Sequence, residues 1–263
     1  MLAPSQLPPR YQNWNRAHGA PSGFQRPRRE LFRRFYPAEA WQRLRGPFGL
    51  QSNNRTRVFE YPWAYYAADL SSPRKIVEIG GSLSGFQFVL SRAGHEVVNI
   101  DPGMEAAGVG WPSDIEEIGK LNDWFGTSVE LRPTTIDKAE LPDDYFDYFF
   151  SISVLEHLPQ SDLQEVMRHA RRCLKPGGRF IITLDLFLNL YPFTTRHENE
   201  FGTNQDVRHM VEMSGLELVE GDRSKLFGFP EFDAARIQSE LEAYFIGNYP
   251  VLTQCLTLQR PLT

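Results

Sequence analysis

Lys75-Ile76-Val77-Glu78-Ile79-Gly80-Gly81-Ser82-Leu83-Ser84-Gly85, followed by His95-Glu96-Val97-Val98-Asn99-Ile100-Asp101, decides the fold of this chain. A short apolar run ending in an acid reads as a buried parallel strand. A glycine-rich turn follows, and Phe86 to Ala93 then reads as a helix with apolar Phe86, Phe88, Val89, Leu90 and Ala93. A second apolar strand closes on Asp101. Strand, glycine turn, helix, strand and acid form the unit that holds a nucleoside-bearing cofactor. Glycine lets backbone approach the ligand, the helix N-terminus offers unpaired N–H groups, and the second acid can accept both ribose hydroxyls. At this point a nicotinamide or flavin dinucleotide and S-adenosylmethionine both remain open.

Working outward, Leu141 to Leu158 (LPDDYFDYFFSISVLEHL) supplies a further buried strand, and a polar helix follows from about Ser161 to Cys173. Leu174 to Asp185 (LKPGGRFIITLD) is a tight turn feeding the next strand. Here the chain resembles the class I S-adenosylmethionine-dependent methyltransferases, the type 11 branch in particular. VEIGGSLSG resembles that family's first motif, and FDYFFSISVLEHL and LKPGGRFIITLD resemble its fourth and fifth strands. The pieces keep the family's order from about residue 74 to 223. The resemblance implies an α/β Rossmann-like three-layer sandwich. Its mostly parallel seven-stranded sheet ends in an antiparallel last strand. The departure is at Ser82 and Ser84, where the family usually has glycine.

The resemblance also implies S-adenosyl-L-methionine as cofactor and assigns its contacts. Glu78 is expected to meet the methionine ammonium, the loop Gly80, Gly81, Ser82 and Gly85 to line the amino-acid part, and Asp101 to take the ribose diol. Asp137, with Lys138 beside it, matches the acid that meets adenine. Ser151 and Ser153, at the mouth of strand four, are placed beneath the methionine moiety. Methyl transfer leaves a neutral thioether, so the protein's work is positioning plus proton removal from a hydroxyl acceptor. His157, whose imidazole titrates near neutrality, and Asp185, after strand five, are the two candidate bases.

Composition bounds the rest. The 263 residues, 41% hydrophobic, suffice for one large α/β core with additions. No run of 18 apolar residues and no hydrophobic signal segment occurs, and Cys173 and Cys255 form neither a disulfide framework nor a metal-ligand spacing. A cytoplasmic protein without a metal is the expectation. Residues 1–60 hold 11 Arg, no Lys and 3 Glu, a local +8, so the remaining 203 carry −13 to reach the overall −5. Residues 1–54 therefore read as a basic, Pro- and aromatic-rich N-terminal arm or lid, and 55–263 as the methyltransferase domain with an insertion at about 224–250. The arm either packs against the acidic body or helps bind an anionic small-molecule acceptor. Nucleic acid is the disfavoured partner.

Around the motifs, Pro62 suits the first turn of a helix continuing through Ala64 to Leu70, with Tyr61, Trp63 and Tyr65 as pocket walls or core. Tyr191 to Met210 reads as a polar loop over the pocket, leading to a helix from Asn204. Gly215 to Glu220 reads as strand six, Glu231 to Tyr244 as a helix, and Val251 to Gln259 as the last strand. Methyl transfer to a small molecule, probable target oxygen in a biosynthetic pathway, is the leading function. An NAD-dependent oxidoreductase and a non-catalytic methyltransferase-like binding subunit are the alternatives.

Overall fold

The computed structural model describes residues 1–25, 33–103 and 114–262. Residues 26–32 of the arm lie outside them. Among the described residues three helices come first: α1 (Pro9–His18), α2 (Ala38–Arg45) and α3 (Arg57–Ala67). The alternating unit follows as β1 (Lys75–Ile79), α4 (Gly85–Arg92), β2 (Glu96–Ile100), α5 (Ile115–Phe125), β3 (Glu130–Arg132), β4 (Phe146–Ile152), α6 (Gln160–Cys173) and β5 (Leu174–Phe187). The chain closes with α7 (Val207–Ser214), β6 (Glu217–Glu220), α8 (Ala234–Ser239) and β7 (Val251–Gln259).

The seven strands form one sheet in the order β3-β2-β1-β4-β5-β7-β6. β1 through β5 pair in parallel, and β7 runs antiparallel between β5 and β6. This is the expected architecture. Chain direction reverses its march across the sheet between β1 and β4, and ligands of open α/β sheets bind outside the carboxyl ends of the strands at that point.

Alternate residues of each strand enter different layers. Val77, Ile79, Val98, Phe149, Phe180 and Ile182 pack with Leu163 and Met167 of α6 and Val207 and Met210 of α7. Ile76, Val97, Phe150 and Ile181 pack on the other face with Phe59 of α3, Phe86 and Phe88 of α4, and Ile118 of α5. Tyr11 and Trp14 of α1 belong to this second cluster, each 4% exposed. The described part of the arm is thus a packed layer.

Its arginines are used locally. Arg10 lies over the Tyr11 and Tyr66 rings, Arg43 over Trp124, and Arg45 donates to the Ser22 carbonyl. Met1 to Ala3 lie along β7, with Leu2 opposite Gln254 and the Ala3 amide donating to the Thr253 carbonyl at 3.0 Å.

Four local expectations need correction. α3 begins at Arg57, so Pro62 sits in its interior and Tyr61 and Trp63 are buried core side chains. The helix is retained because aromatic burial on both sides of Pro62 outweighs one lost backbone hydrogen bond. α7 begins at Val207, where the Asp206 side chain caps the His209 amide at 2.8 Å. The helix foreseen over Glu231–Tyr244 is confined to α8, capped by Asp233, with a short 3-10 turn at Leu241–Ala243. Strand six begins at Glu217, because Gly215 takes the left-handed conformation that ends α7.

Candidate functional site

The loop after β1 is held by a dense polar network. Gly80 (φ +67°) and Ser82 (φ +43°) both occupy the left-handed region, which suits glycine and strains serine. The Ser82 amide donates to Asp101 Oδ2 at 2.6 Å, and the Gly81 amide to Asn99 Oδ1 at 3.1 Å. Asn99 Nδ2 donates to the Ser82 carbonyl and to Gln87 Oε1, and Gln87 Nε2 donates to the Ser82 and Ser84 carbonyls. These bonds hold Ser82 in its strained geometry.

Ser84 is the N-cap of α4, accepting from the Phe86 amide at 3.3 Å, while its hydroxyl donates to Glu78 Oε1 at 2.9 Å. Gly85 cannot be replaced here: a Cβ would lie 2.5 Å from Cγ of Phe48.

Asp101 also accepts from the Gly103 amide at 2.7 Å. Burial raises its pKa, and the Gly103 and Ser82 amides oppose the rise. Each carboxylate oxygen keeps a further lone pair. Glu78 is more extreme. Burial pushes its pKa up to about 8, although the Ser84 hydroxyl pulls the other way.

Three buried polar atoms in this region have no partner among the described residues: Glu78 Oε2, Ser82 Oγ and Ser151 Oγ. An orphaned carboxyl oxygen that is costly to ionise alone fits a ligand ammonium, and an orphaned hydroxyl fits a ligand polar group. The donor set therefore suits the amino-acid end of S-adenosylmethionine, which would supply an electrophilic methyl group.

A second cluster lies at the carboxyl ends of β4 and β5. Arg57 Nη1 pairs with Glu60 Oε2 at 2.6 Å and reaches Ser153 Oγ at 2.8 Å. Glu60 is fully buried, and its carboxylate also accepts from Ser153, Thr183 and Thr253 at 2.9, 3.0 and 3.0 Å. Burial alone would raise the Glu60 pKa, but Arg57 and these hydroxyls hold it below the usual carboxylate range.

Ser153 (φ +47°) places its hydroxyl 3.3 Å from Asp185 Oδ1, and Tyr249 donates to Asp185 Oδ2 at 2.9 Å. The Asp185 amide donates to Glu156 Oε1 at 3.0 Å, leaving Glu156 Oε2 buried without a partner. Burial moves the Asp185 pKa up to about 6, with Arg57 opposing, and raises that of Glu156 well above the carboxylate range.

The structure thus gathers Glu78, Gly80, Gly81, Ser82, Gly85 and Asp101 around one loop, and Ser153 and Asp185 around a neighbouring cluster. His157 stands apart from Asp185. Its side chain is exposed, and its Nδ1 bonds the Phe201 carbonyl, which assigns the proton to that nitrogen. Desolvation by the chain around the ring lowers its pKa, against the Phe201 carbonyl, which raises it.

Asp137 is exposed in a 3-10 turn (Ile136–Lys138), where the Thr135 hydroxyl lowers its pKa. Lys138 lines a shallow depression with Leu131, Arg132, Thr134 and Glu140. No hydrogen bond among the described residues joins Asp137 or Lys138 to the Asp101 loop.

Sequence reading missed Asn99, Gln87, Arg57, Glu60, Glu156 and Tyr249. Three carried a signal: a polar residue alone in an apolar run, as with Asn99 in VVNI, Gln87 in GFQFVL and Glu60 in VFEYPW. Among the described residues no group of three His, Cys, Asp or Glu could hold a metal ion, and no helix is long and apolar enough to cross a membrane.

The sequence of residues 77–182 matches the family described as methyltransferase domain. Residues 77–182 thus carry a methyltransferase domain of the class I S-adenosylmethionine-dependent kind. A ubiquinone biosynthesis O-methyltransferase of Methylobacterium sp. (strain 4-46) is 24% identical to this methyltransferase over 160 residues. That alignment covers 55% of the chain and 60% of the relative's length, less than two thirds of it.

Among solved structures, an S-adenosylmethionine-dependent methyltransferase from Mesorhizobium loti superposes with a TM-score of 0.54 at 15% identity, over 76% of this chain and 97% of that one. The [4+2]-cyclase SpnF superposes with a TM-score of 0.53 at 13% identity, over 77% and 81%. At such identities the likeness concerns the fold. A cyclase on the same fold shows that the reaction has to be argued from the site.

Proposed function

We propose that this methyltransferase transfers the methyl group of S-adenosylmethionine to a hydroxyl oxygen of a small molecule, in a biosynthetic pathway. The observation that carries the reading is the pairing of two differently built acids on β1 and β5, the two strands that flank β4. Glu78 is buried with an orphaned oxygen suited to the cofactor's ammonium, and Asp185 sits in a hydroxyl-bearing cluster suited to taking a proton. The O-methyltransferase among its relatives supports oxygen as the target. An NAD-dependent oxidoreductase is disfavoured because β7 enters the sheet antiparallel beside β5, as methyltransferase sheets end.

Glu78, the Gly80–Gly85 loop, Asp101 and Ser151 form the cofactor side in this reading. Asp185 accepts the acceptor's proton, and Ser153 bridges the two sides. His157 holds the Phe201 carbonyl over the acceptor side. Titration calorimetry of the full chain with S-adenosylhomocysteine and NAD, side by side, tests the proposal. Binding of the first and not the second is the expected result. Binding of NAD alone would overturn it, and binding of neither would leave the chain a scaffold.

A further inference from the structure

Asp185 Oδ2 is already engaged, and by a group that resembles a substrate. Tyr249 donates its phenolic hydroxyl to that oxygen at 2.9 Å. Its ring stacks on Phe201 at 4.5 Å and 9°, and on Phe187 at 6.2 Å and 19°. Tyr249 lies in the irregular segment before β7, half-buried between exposed Asn248 and Pro250. Phe201 lies in the tight hairpin formed by Glu198–Asn199 and Gly202–Thr203 and is 37% exposed. Both covering elements are short connections, which can shift without unpairing the main sheet.

The surrounding charge restricts what can replace the Tyr249 hydroxyl. Arg57 pairs with Glu60 at 2.6 Å, so the pair presents no net positive charge to a ligand carboxylate or phosphate. Asp185, the acid of the cluster that ionises near neutrality, repels an anion. Glu156 is held neutral by burial and adds no charge to the site. A neutral ring bearing a hydroxyl brings no charge to the site and offers Asp185 Oδ2 the donor that Tyr249 now supplies. Flat aromatic neighbours at stacking distance favour an aryl group over an alkyl one.

We propose that Asp185 Oδ2, walled by Phe187 and Phe201, is the seat of the acceptor's reacting hydroxyl, that the acceptor is an uncharged aryl alcohol, and that the Tyr249 phenol fills this seat until the acceptor displaces it. The proposal rests on the methyl-transfer reading above and names its substrate class. In the step, the aryl O–H proton passes to Asp185 Oδ2 while the aryl oxygen bonds the methyl carbon. The carbon–sulfur bond breaks, its electron pair stays on sulfur, and the products are an aryl methyl ether, S-adenosylhomocysteine and a protonated Asp185 that returns its proton to water. Tyr249 is a positioning residue, since it acts by occupying the seat.

The test uses para-cresol, the tyrosine side chain as a free molecule, titrated into the full chain saturated with S-adenosylhomocysteine, with benzoate and cyclohexanol as comparison ligands. Removing the competing hydroxyl in Tyr249→Phe is expected to tighten para-cresol binding by about 10-fold, because the open seat is then the resting state. Asp185→Asn is expected to weaken it by about 10-fold. Benzoate and cyclohexanol are expected to bind neither protein measurably.

A folded Tyr249→Phe that binds para-cresol no better than the unaltered chain overturns the proposal, as does tighter binding of benzoate than of para-cresol. Should Tyr249→Phe not fold, saturation transfer from the chain to para-cresol ring protons decides: transfer that persists unchanged in Asp185→Asn overturns the proposal, and its loss supports it. Because these readings need no turnover, they are separable from the methyl-transfer proposal, which fails if S-adenosylhomocysteine itself does not bind.

Discussion

The Ser84 hydroxyl donates to Glu78 Oε1 at 2.9 Å while the same oxygen caps the first turn of α4. One side chain thereby fixes both the acid at the end of β1 and the helix that follows the loop after β1. Glycine at this position would satisfy neither partner. The serine is therefore a structural component of the loop, and it constrains one Glu78 oxygen while leaving the other free.

The first prediction follows directly. Ser84→Ala removes a cap and a hydrogen bond to a buried carboxyl group, which together are expected to destabilise the fold by about 1–3 kcal/mol. Chemical denaturation with an unchanged m-value checks it. A loss below about 0.5 kcal/mol would show that the bond contributes little.

Glu78 gives a proton-linked prediction. With a pKa near 8 in the free protein, it is largely protonated at pH 7. A ligand ammonium beside Oε2 favours the carboxylate, so S-adenosylhomocysteine binding at pH 7 is expected to release up to one proton. Calorimetry in buffers of different ionisation enthalpy measures it, and Glu78→Gln is expected to abolish the release. The sign for stability follows from the same shift. Its folded pKa is raised above the unfolded carboxylate value, so the contribution is full at low pH and is lost as pH rises towards 8. Thermal stability of Glu78→Gln relative to the unaltered chain is thus expected to improve between pH 5 and 8.

The Arg57–Glu60 pair makes a third test. Arg57 keeps only 15% of its side chain exposed, and Glu60 none. Arg57→Met strands a buried carboxylate and is expected to cost about 3–5 kcal/mol. Arg57→Met with Glu60→Leu removes both charges and is expected to recover most of that loss. Equal destabilisation of the single and double variants would contradict the account.

Much of this was legible beforehand because it rests on short-range grammar. KIVEIGG and VVNID report strands, turn and acid within a window shorter than 30 residues, and FDYFFSI and RFIITL report strands that alternate between two buried layers. The Asp185 cluster was only partly legible because it is assembled across the chain. Its members come from α3, β4, β5 and the segment before β7, so no local pattern links Glu60 to Thr183 or Tyr249 to Asp185. Pro62 misled for a related reason: propensity placed it at a helix start, whereas the packing of Phe59, Tyr61 and Trp63 pulled the helix back to Arg57. The charge of the arm suggested anion binding, yet its described arginines lie on rings and carbonyls of the same chain.

The arm therefore receives a stability prediction. Trp14 is 4% exposed and tilts against Phe48, Tyr65 and Phe86. Trp14→Ala is expected to cost about 3–5 kcal/mol, the range for truncating a buried large aromatic. An effect confined to acceptor KM, with unchanged melting temperature, would instead make this segment a lid.

The last prediction separates Asp185 from His157 as the proton acceptor. Asp185 faces Arg57, Glu60, Glu156 and Tyr249, and burial among them places its pKa near 6. A base must be unprotonated to act, so kcat is expected to fall as pH drops through about 6 and to level off above it. Asp185→Asn removes the proton acceptor and is expected to lower kcat by about 10²–10⁴-fold, with cofactor affinity nearly unchanged. His157 bonds the Phe201 carbonyl from an exposed position, so His157→Ala is expected to loosen the hairpin, raise the acceptor's KM several-fold and leave the acid limb of kcat in place. If instead His157→Ala erases that limb and Asp185→Asn retains it, the imidazole is the base and the buried acid is scaffold. Rate and pH profile measured together on the two variants decide between them, because a purely structural role for either residue would move stability without shifting the acid limb.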